Sequence, residues 1–117
     1  MLTYKNENKV IYKIKEEEGK KIKEIVGNKK RIKINNVAVY INTIIDIPIA
    51  YQKFDIEQGK YITDTAINKT IELIIDEVKG LNLKVINGLA NIDFESAQVG
   101  KFEIKIENVI CEVVVND

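Results

Sequence analysis

Gly88-Leu-Ala-Asn-Ile-Asp-Phe-Glu-Ser-Ala-Gln-Val-Gly-Lys-Phe-Glu-Ile-Lys-Ile-Glu107 is the stretch whose reading decides the fold. Ala90, Ile92 and Phe94 alternate with Asn91, Asp93 and Glu95. Ser96 to Gly100 carries turn residues, after which Phe102, Ile104 and Ile106 alternate with Lys101, Glu103, Lys105 and Glu107. Successive side chains on a strand point to opposite faces, so each half has one apolar and one polar face. The spacing predicts two antiparallel strands joined as a hairpin, one side on a core and the other in water. Asp93 and Glu95 would then share the wet face with Lys101 and Lys105. That arrangement reads as cross-strand charge pairing rather than as an acid and base for sugar hydrolysis.

Outward from this stretch the same period recurs. Val109 to Val115 is nearly continuous in apolar residues and predicts a central strand, with the lone Cys111 buried as a small hydrophobe beside Val109, Val113 and Val115. Thr43 to Tyr51 puts Ile45, Ile47, Ile49 and Tyr51 on one face, and Pro48, which cannot donate to a ladder, predicts an edge or a bulge. Lys53 to Lys60 reads as a loop. Thr70 to Asp76 alternates Ile71, Leu73 and Ile75, and Gly80 interrupts the chain before Leu83 and Val85. A helix over Asp64 to Val78 competes, because Ile67, Ile71, Ile74, Ile75 and Val78 also fit a 3.6-residue period. From Val37 onward about seven short strands are expected, the mark of a sandwich or barrel.

Residues 1–36 read as a basic N-terminal hairpin or arm ahead of the 37–117 sandwich. Val10, Tyr12 and Ile14 alternate, Glu16 to Gly19 can turn, and Ile22, Ile25 and Val26 precede the alternating Ile32 and Ile34. A helix over Glu16 to Val26 stopped by Gly27 is the alternative. Charge divides at the same place although the chain is neutral: residues 1–36 hold eleven Lys/Arg against five Glu, net +6, and residues 37–117 seven Lys against thirteen Asp/Glu, net −6. Lys20, Lys21, Lys23, Lys29, Lys30, Arg31 and Lys33 are the candidate interaction residues. They could dock on the chain's own acidic body or stand solvated. They could meet the acidic face of a neighbouring copy head to tail, or contact nucleic acid. Nucleic acid is the weaker partner: Lys29 to Lys33 holds one Arg and no interleaved aromatic for stacking.

The chemistry within reach is narrow. Without histidine there is no imidazole base and no Ser-His-Asp arrangement. One cysteine excludes cysteine-rich metal sites and an internal disulfide, and the six glycines form no phosphate-cradling pattern. No catalytic residue, cofactor, metal or small-molecule substrate is expected. Asp55, Glu57 and Asp64 could gather round calcium but have no ligand spacing and read as solvated loop acids. Tyr4, Tyr12, Tyr40, Tyr51 and Tyr61 read as packers at the rim of a core. No signal peptide or membrane-spanning run is seen, so the expectation is a soluble, cytoplasmic product with no membrane partner.

The stretch from Val85 to Ile104 resembles bacterial and phage immunoglobulin-like domains. There a glycine turn precedes an alternating strand ending in Phe, and a Gly-x-aromatic-x-apolar strand follows. Those positions are Gly88, Ile92, Phe94, Gly100, Phe102 and Ile104, with Ile71 to Asp76 where such domains keep an earlier strand. The resemblance spans residues 37–117. Phe102 replaces the tyrosine of a tyrosine corner and the antibody-type disulfide is missing, which leaves the bacterial or viral branch. It implies an all-β, immunoglobulin-like β-sandwich in a non-enzymatic structural or protein-interaction protein. By analogy this would be a phage or prophage tail or virion component that self-associates as a homo-oligomer; the alternative is a nucleic-acid-binding accessory protein using the basic segment.

Overall fold

The computed structural model describes residues 2–76 and 78–117. Among them none is helical and 72% lie in strands, so both helix alternatives give way to strands; Glu77, inside the second, lies outside the described residues. Thr and Ile favour the pleated, half-buried surface of a strand over a helix. The elements are β1 (Leu2–Glu7), β2 (Val10–Glu17), β3 (Lys20–Asn28), β4 (Lys30–Ile34), β5 (Val37–Tyr40), β6 (Ile45–Asp55), β7 (Lys60–Thr63), β8 (Lys69–Ile75), β9 (Val78–Val85), β10 (Leu89–Phe94), β11 (Gly100–Ile106) and β12 (Val109–Asn116).

Two sheets make the body. One runs β10-β6-β4 with β7 also on β6; the other runs β5-β12-β11-β8-β9, in which β5 lies parallel to β12. Ile47, Ile49 and Tyr51 of β6 and Ala90, Ile92 and Phe94 of β10 face Ile71, Leu73, Ile104, Ile106, Cys111, Val113 and Val115 of the other sheet across a single core. Each fully buried Ile or Val contributes roughly 1.5–3 kcal/mol. Cys111 is completely enclosed, its Sγ 3.1 Å from Asn35 O, and burial pushes its thiol pKa up, as suits an inert packing residue.

The 88–107 stretch is not a hairpin. β10 pairs with β6 and β11 with β12 and β8, so Ser96 to Gly100 carries the chain from one sheet to the other. The two apolar faces meet across the core, where Phe94 and Phe102 rings lie 5.6 Å apart. Alternation reports which face is buried and leaves the strand neighbour open. The expected pairing of Asp93 and Glu95 with Lys101 and Lys105 is lost with the hairpin. Asp93 instead stands opposite Asp46, and hydrogen bonding to that carboxylate, with its repulsion, raises the Asp93 pKa. Gly80 does not end a strand but sits within β9, beside the irregularity in its pairing with β8.

Pro48 lies in a strand with neighbours on both sides. Tyr51 donates its amide to Gly88 O and accepts from Asp64 N, so odd positions of β6 face β10 and then β7, while even positions face β4. β4 pairs with β6 only from Lys53 to Ile49 and stops at Ile34, before it would need a donor from Pro48. The strand is central along most of its length and an edge where the proline requires it. Ile32 and Ile34 thereby belong to the body, and the sheet changes between Asn28 and Lys30.

β1, β2 and β3 form a separate antiparallel sheet, the arm. The molecule measures 59 × 31 × 21 Å with a radius of gyration of 17.9 Å, against roughly 13 Å for a globule of this length. The arm accounts for that length, and its root is held by β6. Of the loop expected over Lys53 to Lys60, only Ile56 to Gly59 turns: β6 continues to Asp55 and β7 begins at Lys60. The pairing continues without a shift, so Phe54 lies on the opposite face from Tyr51. There Phe54 packs between Tyr4 of β1 at 5.2 Å and Tyr61 of β7 at 5.1 Å, with Ile11 of β2 wholly buried beside them. Gly59 (φ +68°) and Gly27 permit the approach, since a Cβ would stand 2.7 Å from the Tyr4 ring or 2.6 Å from the Tyr61 hydroxyl. A bulge at Val26 places Gly27, rather than a valine, opposite Ile11, and Tyr61 Oη donates to Asn28 O at 2.6 Å.

Phe54→Ala is expected to cost about 3 kcal/mol where it acts. Amide hydrogen exchange should then speed up across residues 2–28 while β8, β11 and β12 stay protected; uniform acceleration through the body would contradict a separate second core.

Candidate interaction surface

Register assigns the arm's faces. Tyr4, Ile11 and Gly27 share the face that rests on Phe54 and Tyr61, and further out it carries Leu2, Lys13, Lys15, Ile22 and Glu24. The opposite face carries Lys5, Glu7, Val10, Tyr12, Ile14, Glu16, Lys21, Lys23 and Ile25. Ile25 is 72% exposed, and Val10, Tyr12 and Ile14 are half-buried by one another and by the Lys23 chain, whose Nζ lies 4.3 Å from the Tyr12 ring centroid. Lys23 also bonds Glu7 at 2.8 Å, and Lys5 reaches the same carboxylate at 3.2 Å. These bonds lower the Glu7 pKa and raise that of Lys23. Such open pairs orient side chains more than they stabilise.

The seven cations singled out by sequence do not share one surface. Lys20 and Lys21 stand at the arm tip opposite Glu17 and Glu16, and Lys23 is tied to Glu7. Arg31 is on the body, its guanidinium 3.5 Å from the Tyr61 ring centroid and its Nε donating to Gln52 Oε1 at 2.8 Å. Lys33 stands opposite Ala50 on the outer face of β4. With the boundary at Asn28, the arm holds seven Lys against five Glu, net +2, and residues 29–117 eleven Lys/Arg against thirteen acids, net −2. Most of the charge asymmetry belonged to the 29–33 run, which is part of the body.

Lys29 and Lys30 face a hollow of about 520 Å³ between the arm and the body, where they meet Lys9, a residue the sequence pattern passed over. On the body, the outer face of the five-stranded sheet carries a row of Ile74, Lys105 and Ile110, then Glu103 opposite Glu112, then Val114 beside Ala38. Ile110 is 54% exposed, and Tyr40, expected at the rim of a core, is 69% exposed on the neighbouring strand.

At the end of the sandwich a cavity of about 370 Å³ is bordered by Tyr51, Asp64, Lys69 and Glu107. Tyr51 Oη donates to Glu107 at 3.1 Å, and Lys69 bonds the same carboxylate at 2.6 Å. Asp64, expected as a solvated loop acid, is buried and accepts from Ala66 N at 3.2 Å, while Asp55 accepts from the Gln58 amide in the β6–β7 turn. These acids close turns. Burial, then the Glu107 charge and the hydrogen bond to it, push the Tyr51 phenol well above its ordinary value.

No family model, curated protein or solved structure matches this chain.

Tyr51 is expected to ionise well above the ordinary phenol range in an alkaline absorbance titration, and Glu107→Gln should bring it part of the way back, since burial is the larger cause. Because folding raises this pKa, the associated stability is present below the unfolded phenol value of about 10 and is lost as pH rises beyond it.

Proposed function

We propose that this chain is a non-enzymatic assembly module in which an immunoglobulin-like sandwich holds out a β arm that docks on the body of another copy. The carrying observation is the arm's uncovered face, with Val10, Tyr12, Ile14 and Ile25 on a three-stranded sheet whose sole completely buried residue among those described is Ile11. A small sheet of this kind has little stability of its own, so covering the face stabilises the arm as well as the contact.

Strand order supports the immunoglobulin-like reading of the body. β4, β6 and β10 stand in the places of strands A, B and E. β5, β12, β11, β8 and β9 follow the order A′-G-F-C-C′, with the parallel A′–G pair. β7 has no counterpart in that pattern; it extends the sheet towards the arm. The resemblance to domains that act by binding or assembly supports the same reading.

The receiving surface we assign is the outer face of the five-stranded sheet. Its Ile74, Ile110 and Val114 offer an apolar match to Tyr12, Ile14 and Ile25, and both faces carry mixed charge around them, Glu103, Glu112, Lys101 and Lys105 on the one and Lys5, Lys23, Glu7 and Glu16 on the other. Arm and receiving face are different surfaces, so the contact is head to tail and builds a ring or filament.

Sedimentation of the wild-type chain should show assembly that grows with concentration and persists in high salt, because apolar burial dominates it. Tyr12→Ser/Ile25→Ser and Ile74→Ser/Ile110→Ser should each weaken it by roughly tenfold or more. Mixing the two variants restores one intact contact and should give a dimer and nothing larger. A wild-type monomer at every concentration, or a mixture that stays monomeric, rejects the reading.

A further inference from the structure

We propose that the hollow between arm and body is a binding site for a phosphate-bearing anion, held by Lys9, Lys29 and Lys30. The hollow is lined by these three lysines, Val10 and the carboxamide residues Asn8 and Asn28, with no carboxylate in its wall. Elsewhere on the arm the lysines Lys5, Lys15 and Lys23 lie within 4 Å of a glutamate, and Lys69 of the body does the same. Among the described residues, Lys9, Lys29 and Lys30 have no acid within that distance. Lys53 adds to the imbalance, because it stands directly opposite Lys30 on the same face of the β4–β6 pair, where like charges repel.

The backbone fixes this grouping. Asn8 and Lys9 both adopt left-handed conformations, φ 50° and 66°, in the tight β1–β2 turn. Lys9 O accepts from Lys29 N at 2.7 Å, and Lys29 O accepts from Phe54 N at 2.8 Å, so the turn, the β3–β4 link and β6 are tied in series. Asn28 O is held by the Tyr61 hydroxyl. Three lysine residues are therefore brought to the wall of one hollow by backbone bonds that do not involve their charges, and Lys30 also borders the neighbouring hollow that holds Asp64 and Glu107.

An anion offsets that repulsion. Three separated cationic donors suit a phosphate, which presents more acceptor oxygens and, as a polyphosphate or a nucleic-acid backbone, more negative charge than a single carboxylate. The phosphate could come from a small polyphosphate or from a nucleic-acid backbone, and the hollow supplies the same chemistry to both. The site meets the assembly surface only at Val10, which lines the hollow at the root of the arm's docking face; none of the three lysines is among the residues assigned to arm docking.

The test uses the full chain with two probes, inorganic tripolyphosphate by calorimetry and a fluorescein-labelled single-stranded oligonucleotide by anisotropy, at low and moderate salt. Lys9→Gln/Lys29→Gln/Lys30→Gln is compared with Lys13→Gln/Lys20→Gln/Lys21→Gln, which removes the same charge from the outer arm. Both probes are repeated in the Tyr12→Ser/Ile25→Ser background, which separates anion binding from assembly. The junction variant should bind about tenfold more weakly or worse, and the outer-arm variant within about twofold of wild type. Thermal unfolding of both variants checks that neither loss reflects unfolding. Binding of tripolyphosphate alone supports the site with a small phosphorylated ligand. Oligonucleotide binding that falls with salt as about three phosphate contacts supports it with a nucleic-acid backbone. Equal weakening by both triple variants, or no binding of either probe to wild type at low salt, overturns the proposal.

Discussion

β6 buries both of its faces, one after the other, and the rest of the molecule is arranged around that fact. Up to Tyr51 its odd positions fill the sandwich core, and three residues later Phe54 points the other way, into the aromatic cluster of Tyr4 and Tyr61. No bulge intervenes. The strand simply runs past the end of the facing sheet, where the inner face has nothing left to cover it and the outer face meets the arm. The two cores are therefore joined by one continuous backbone, which gives the arm a direction as well as an attachment.

This geometry explains why the arm's chemistry differs from what its composition suggests. An extension held at its root exposes everything beyond the root, so Ile22, Ile25 and Leu2 stay in contact with water although their spacing is that of packing residues. Lys5, Lys15 and Lys23 of the arm are paired with its own glutamates, whereas Lys9 lies where the arm meets the body, in a wall that holds no carboxylate. The outer arm thus presents exposed apolar residues among its charges, and its base a group of lysines. The two features suit different ligands: a second protein surface for one, an anion for the other.

Much of the polar chemistry in the body serves its architecture. Glu107 receives both Tyr51 and Lys69 at the sandwich end, Asp64 closes a turn, and Arg31 lies flat on Tyr61. The Asp46–Asp93 pair is an exception, two carboxylates brought together by strand register on an exposed face. Water screens that pair, so the sheet tolerates it.

The sequence by itself determined which residues face inward. Alternation at Ile47, Ile49 and Tyr51, at Ala90, Ile92 and Phe94, and at Ile104 and Ile106 marked the buried faces, and the apolar surroundings of Cys111 marked it as core. These are local properties, set by the two-residue period of the strand. Only the tertiary structure decided which strands are neighbours. β10 and β11 carry the same pattern whether they pair side by side or face each other across a core, and in the second arrangement, the one adopted, the Phe94 and Phe102 rings meet between the sheets. The transfer of β4 to the body, the change of face at Phe54 and the meeting of Lys9 with Lys29 and Lys30 likewise depend on contacts between distant segments. A period of two cannot encode such contacts, because it describes the sides of a strand and says nothing about what lies next to it.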